Sequence, residues 1–387
     1  MAAMERFNAL EGARGVLAVL VMLAHFEANY HGKSLLLAES VYYIVDFFFV
    51  FSGFLMARIY WDGLKTPQDL KEYAIVRFGR IYPLHFLWLM IFIVFESFRL
   101  TLPEQWLDSK PFTGTNDVTS VPAQLLLLQA MGFDDKNSWN FSSWSLSTEF
   151  YAYFLFAALL FFFKRTRIPV AILLVLASIL VLATQSDIGF RETYYLGFFR
   201  CVAGFMFGVL IFPIYKHTQI LRNQKIKMTV MEFFAIVVFI CFSQVSIRPE
   251  MSLATPLIAG LLVYVLSFDA GHISALLSRS LPIYLGTISY SLYLAHAFVQ
   301  NRMLNFFKLL ETKGFGSFFY TPEVNNLSST AERFLGSASK WHGDLYALLM
   351  VCLTVLVSHY TYRWVEETGR EWSKQRIKSL RSRQRGL

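Results

Sequence analysis

Apolar runs of membrane-spanning length recur along the whole chain. They fall near residues 10–30, 41–60, 78–98, 146–163, 168–184, 194–214, 229–246, 251–268, 281–299 and 344–364. Each approaches the roughly 20 apolar residues with which an α-helix crosses about 30 Å of hydrocarbon. No water reaches that layer, so backbone groups must be satisfied inside the segment, and runs of this length predict helices. The expected fold is all-α: a polytopic membrane protein with about ten transmembrane helices. Two connections are long. Residues 99–140 hold the short apolar piece PAQLLLLQAMGF, expected in the interface or re-entrant, and residues 300–341 are rich in Phe, Ser and Asn. Both are long enough to cover a site.

The first run, LEGARGVLAVLVMLAHFEANYHG, carries Arg14 near one end and His25 near the other. At 100° per residue, positions eleven apart return to nearly the same face after three turns, roughly 16 Å along the axis. A permanent cation and an imidazole on one stripe are costly in hydrocarbon, so that stripe should face protein or water. The run lacks a basic leading region and a small-residue cleavage site, so a retained helix is expected and not a signal peptide.

Composition narrows the class. Of 387 residues, 55% are hydrophobic and only 16% charged, with a mean hydropathy of +0.45, whereas soluble domains carry about 25% charge. No soluble block is large enough to bury a core of its own. The expected organisation is one membrane domain over residues 1–370 and a basic cytoplasmic tail over 371–387. The net charge of +8 would suit nucleic acid, but the basic residues lie in short runs between apolar segments and in the tail. They are read as orientation signals, and no nucleic-acid partner is expected. Lys and Arg gather near 58–77, 164–167, 216–227 and in the tail, and thin out in the longer alternate connections. That bias predicts both termini in the cytoplasm of a plasma (inner) membrane protein. Cys201, Cys241 and Cys352 lie singly in apolar runs, which predicts buried thiols and no metal site.

With a direction assigned to each helix, His25, Asp46, Glu149 and His296 come out in the outer half of the bilayer, and Arg14, Arg58, Arg77 and Arg80 at the cytoplasmic end. RFGR places Arg77 and Arg80 one turn apart, and guanidinium is suited to bidentate phosphate recognition. The bland alternative is membrane anchoring, and Arg14 and Arg58 at similar depth favour an anion site. A lone intramembrane imidazole can merely satisfy a buried hydrogen bond. With Asp46 and Glu149 at comparable depth, His25 instead suits a general base held by a carboxylate. Glu149 is the better candidate for that carboxylate, since it lies a turn inside its helix, although it could also cap that helix with Ser145. Ser52-Gly53 reads as a close packing point. His85, His359, Glu232 and Glu96 are read as structural.

The motifs L-E-G-A-R-G with His25 following, D-F-F-F-V-F-S-G-F-L, R-F-G-R-I-Y-P, W-S-L-S-T-E-F-Y and I-S-Y-S-L-Y-L-A-H occur in this order. Together they resemble the acyltransferase-3 family of integral membrane acyltransferases, from residue 8 to about 300 and more weakly to Y-R-W-V-E-E-T-G-R. The resemblance implies about ten helices, an acetyl-coenzyme A or other acyl-coenzyme A donor taken from the cytoplasm, and transfer to a hydroxyl of a carbohydrate or glycosylated acceptor. It assigns Arg14 and His25 to one signature and Arg77 and Arg80 to another, with Asp46 and Glu149 at recurring acidic positions. Glu11 stands where Asp is more usual, and Phe follows Asp46 in place of Leu. Relatives often carry an additional esterase-like domain, which this chain is expected to lack. In the combined reading the phosphates of the donor meet the arginines while its thioester lies along the helices. His25 deprotonates the acceptor or assists through an acyl-enzyme, and Ser145, Ser147 and Tyr151 are candidate oxyanion donors, with His296 beside the substrate. The rival is a transporter or proton relay, since intramembrane Asp, Glu and His also mark ion pathways. Inverted repeats and paired broken helices do not support it.

Overall fold

A computed structural model describes residues 6–35, 40–107, 109–133, 136–246, 248–321 and 333–385. Its principal helices are α1 (Asn8–His25), α2 (Ser40–Tyr60), α3 (Pro67–Arg99), α4 (Trp144–Phe162), α5 (Arg167–Gln185) and α6 (Gly197–His217). They continue with α7 (Lys225–Val245), α8 (Thr255–Leu266), α9 (Ser280–Thr287), α10 (Ser289–Thr312), α11 (Lys340–Thr361) and α12 (Glu367–Arg385). Eight helical segments among the described residues are long and apolar enough to cross a membrane. They match eight of the ten expected. The other two, α1 and α10, pack in the same bundle and carry more polar side chains.

Helices α2 and α6 form the centre. They cross closely because Gly53 and Gly208 carry no Cβ: one at Gly53 would stand 1.8 Å from the Phe205 carbonyl oxygen, and one at Gly208 2.0 Å from that of Val50. The packing reading of Ser52-Gly53 holds for the glycine. The most apolar window in α2 is 67% buried, against 22% in α5 and 28% in α7. Large side chains such as Leu173, Leu176, Leu180, Phe233 and Phe234 therefore point outward, as on a protein whose solvent is lipid. Cys201 is buried, but Cys241 and Cys352 belong to such outward surfaces, which corrects the expectation for those two.

Helix α1 is fixed at both ends. Asp269 accepts from the Asn8 and Ala9 amides at 3.1 and 2.7 Å, satisfying N-terminal donors that no helical carbonyl can reach. At the other end the Lys33 ammonium donates to the Ala24 and Phe26 carbonyls at 2.9 and 3.0 Å. Between them Gly15 lies against the Gly286 backbone, where a Cβ would stand 2.3 Å from the amide nitrogen.

The 99–140 connection re-enters the bundle. Its 3₁₀ turns and the short helix Val121–Leu125 lie against the middle of α3. His85 Nε2 meets the Gln124 carbonyl at 2.8 Å and Tyr82 donates to that of Leu125 at 3.1 Å. Ser147 and Tyr151 of α4 donate to the Leu127 and Leu126 carbonyls. Irregular backbone at membrane depth needs such partners. These contacts take Ser147 and Tyr151 out of the candidate oxyanion set.

His85 is thus structural, as expected. So are Glu232, which accepts from the Gly271, Ile273 and Ser274 amides, and Glu96, which accepts from Arg99, Asn116 and the Phe112 amide.

The C-terminal segment departs from expectation. A π-turn over Tyr362–Glu366 joins α11 to α12, and α12 docks on α3, where Ser373 donates to the Ile75 carbonyl and Arg381 pairs with Glu72. The expected boundary at residue 370 falls inside this helix. The amphipathic pattern that reads as a solvated tail is a helix with one packed face.

Candidate active site

Three cavities follow one another beside α1. The first, about 380 Å³, is walled by Arg6, Glu11, Arg14, Arg58, Arg80, Tyr362 and Arg370 among others. It shares Arg14, Phe51 and Arg80 with a second of about 90 Å³, walled also by Ser52, Ser145, Glu149, Tyr153, Ser289 and Tyr293. That cavity shares Val45 and Tyr293 with a third of about 120 Å³, walled by His25, Tyr42, Phe141, Ser142 and Trp144. Arg14 and His25 thus look into the two ends of one series, as their spacing predicts.

At the arginine end two guanidiniums keep a buried nitrogen without a partner. Arg14 donates through Nη2 to Glu11 and to the Gly286 carbonyl, both at 2.7 Å, and its buried Nε has no partner. Arg370 pairs with Glu366, and its Nε is likewise buried and unpartnered. Arg58 lies 4.0 Å from the Phe7 ring centroid. Arg80 reaches both cavities. Five guanidiniums thus share this space with the single carboxylate of Glu11.

Arg77 does not join them. Three residues along a helix leave two side chains 60° apart, and here that angle separates them. Arg77 turns into a buried aromatic box, 5.7 and 5.2 Å from the Tyr73 and Tyr153 ring centroids, with Nη1 3.4 Å from the Met56 sulfur. It stands behind the second cavity. Tyr153, which it faces, donates to Glu149 at 2.6 Å.

Glu149 lies in the second cavity. Its Oε1 accepts from both Ser52 and Tyr153 at 2.6 Å. It caps nothing, because α4 begins at Trp144 with Ser143 as the preceding residue. Ser145 donates to the Tyr293 hydroxyl at 3.0 Å, and Tyr293 borders the third cavity as well.

His25 is the last residue of α1. Its Nδ1 lies 2.8 Å from the Val21 carbonyl, one turn earlier, where a helix C-terminus offers acceptors. A carbonyl only accepts, so Nδ1 carries the proton and Nε2 is left as the basic nitrogen. The expected carboxylate partner is therefore replaced by backbone: neither Glu149 nor Asp46 holds His25. Its ring centroid lies 5.1 Å from Phe141 and 5.5 Å from His296. His296 repeats the arrangement, with Nδ1 2.6 Å from the Tyr293 carbonyl and a buried, unpartnered Nε2.

Asp46 is engaged elsewhere. It is fully buried and takes two bonds from Arg200, Nε to Oδ1 at 3.0 Å and Nη2 to Oδ2 at 2.8 Å. Arg200 also donates to the Glu192 and Tyr42 carbonyls and lies 5.0 Å from the Trp144 ring. Tyr42 and Trp144 wall the His25 cavity, so the pair braces that wall from behind. Sequence reasoning missed Arg200, although an arginine inside GFFRCVAGFMF is a signal that a buried acid waits nearby. It gave Arg6 and Arg370 no role, although Arg370 closes the Y-R-W-V-E-E-T-G-R stretch.

Comparison with known proteins places this geometry in context. A family model described as an acyltransferase domain matches residues 7–363. The curated protein described as Protein 2 in picA locus, from Rhizobium radiobacter, is 38% identical over 87 residues, which cover 21% of this chain and 42% of that protein. The chain thus spans about two fifths of that relative's length. No solved structure matches.

Proposed function

Since the chain belongs to the acyltransferase-3 family, whose acyltransferase domain extends over residues 7–363, we propose that it moves an acetyl or other short acyl group from cytoplasmic acyl-coenzyme A to a hydroxyl of a carbohydrate or glycosylated acceptor. One observation carries the reading: arginines, a carboxylate with hydroxyls, and an imidazole line three cavities in series. A donor with phosphates at one end and a thioester at the other is the kind of molecule such a series suits. Arg14, Arg58 and Arg80 bind the phosphates through charge-assisted bonds. The arm passes Ser52, Glu149 and Ser145, and the thioester comes to rest near His25.

There Nε2 of His25 takes the proton of the acceptor hydroxyl as its oxygen bonds to the acyl carbon. The C–S bond then breaks, and the leaving thiolate receives that proton back. The Val21 carbonyl and the negative end of the α1 dipole stabilise the transient imidazolium, the task a carboxylate performs in other His-based sites. The Tyr293 hydroxyl, which accepts from Ser145 and keeps its own proton to donate, lies on the path and is the group we assign to the developing oxyanion. The Lys and Arg bias supports cytoplasmic termini in a plasma membrane, which opens the arginine cavity toward the donor pool.

The test is release of free thiol from acetyl-coenzyme A by purified protein with candidate glycans present. Acceptor-dependent release with acetyl on the glycan is expected. Donor that stays intact while a small solute crosses the membrane would replace this reading with transport.

A further inference from the structure

Two of the five arginines around the first cavity lie outside the family-matched residues 7–363. Arg6 precedes that segment. Arg370 follows it, on α12, and its position is built with care. Where α12 crosses α3, Gly79 faces Gly369: a Cβ on Gly369 would stand 2.4 Å from the Gly79 carbonyl oxygen, and one on Gly79 1.8 Å from the Ser373 hydroxyl. Only glycine permits this approach, and Gly79 is the residue before Arg80. The crossing therefore sets Arg370 against the same cavity as Arg80. Two further contacts join α12 to α3, Ser373 to the Ile75 carbonyl at 3.2 Å and, on the exposed side, Arg381 to Glu72 at 2.9 Å.

The guanidinium is also oriented. Glu366, buried within the π-turn, accepts from Ser291 at 3.0 Å and pairs with Arg370. π-turns are rare and recur at functional sites, and this one delivers both Tyr362 and, through Glu366, Arg370 to the cavity. Arg370 Nε and Arg14 Nε are both buried without a partner. Buried donors in native proteins are nearly always satisfied, and both of these residues wall the same cavity.

We propose that Arg370 is a donor-binding residue: α12 walls the arginine cavity together with α1 and grips a phosphate of the acyl-coenzyme A. The inference rests on the acyl-coenzyme A reading above. It makes α12 part of the donor site and Glu366 a positioning residue that aims Arg370.

The experiment uses the full-length protein in lipid nanodiscs with acetyl-coenzyme A as probe, reading affinity and the donor-induced rise in Tm of each variant against its own unliganded Tm. Arg370→Ala is expected to bind about ten- to a hundredfold more weakly, the loss of one charge-assisted bond. Arg370→Lys recovers part of this, since an ammonium keeps the charge without the planar fork. Arg381→Ala, which removes an exposed pair with Glu72 and leaves the Gly79–Gly369 crossing in place, keeps near-native affinity. Wild-type affinity in Arg370→Ala, or in a folded Arg370→Lys if the alanine variant does not fold, overturns the assignment. An equal loss in Arg381→Ala also overturns it, because the helix and not the residue would then matter. Wild-type protein that fails to bind acetyl-coenzyme A would instead remove the donor reading itself, and this inference with it.

Discussion

The two ends of the cavity series solve opposite electrostatic problems. At the arginine end, charge is gathered and left incomplete: Arg14 and Arg370 keep buried donors without acceptors. At the histidine end, charge is neutralised within the protein. Asp46 and Arg200 cancel each other with no exposure at all, and His25 is held by a carbonyl instead of a carboxylate. The contrast teaches which groups to assign to ligand and which to scaffold. A polar group whose bonds are all made within the fold is architecture, even when buried beside a site. Unmet bonding capacity facing a cavity points to a ligand.

The largest expected effect is at the histidine end. His25→Ala is expected to lower turnover by about a hundred- to ten-thousandfold, the range of a general base, with Tm little changed because the ring borders a cavity. Near-normal turnover in the folded variant would erase the difference in role between the two ends. Next comes the brace behind that wall. Asp46→Asn leaves Arg200 buried without its counter-charge and is expected to cost about 3–5 kcal/mol of stability, read as a large drop in Tm or in folded yield. If Asp46→Asn is instead as stable as wild type yet inactive, Asp46 acts in the chemistry and the sorting of groups proposed here is mistaken.

How much of this the sequence discloses differs along the chain. The helices are legible because apolar runs of membrane length have few alternative structures. Arg14 and His25 are legible as a pair because helical periodicity alone fixes their common stripe. Partnerships are not. Nothing in the chain before Arg200 announces that Asp46 will meet a residue 154 positions later, and a carboxylate at the right depth passes for the partner of His25. The backbone carbonyl that takes that place has no signature in a sequence. Arg77 and Arg80 look equivalent in RFGR, yet 60° of rotation sends one into an aromatic box and the other to the cavity. Residues 371–387 read as a tail because their mean composition is basic, and only the Gly79–Gly369 approach reveals a packed helix.

The central claim is that donor recognition and proton transfer belong to opposite ends of one series. Equilibrium binding of acetyl-coenzyme A to purified wild type, Arg80→Ala and His25→Ala tests it most directly. The account predicts that His25→Ala binds as wild type does, while Arg80→Ala loses about ten- to a hundredfold in affinity. The reverse pattern, with donor affinity lost in His25→Ala and kept in Arg80→Ala, would contradict it.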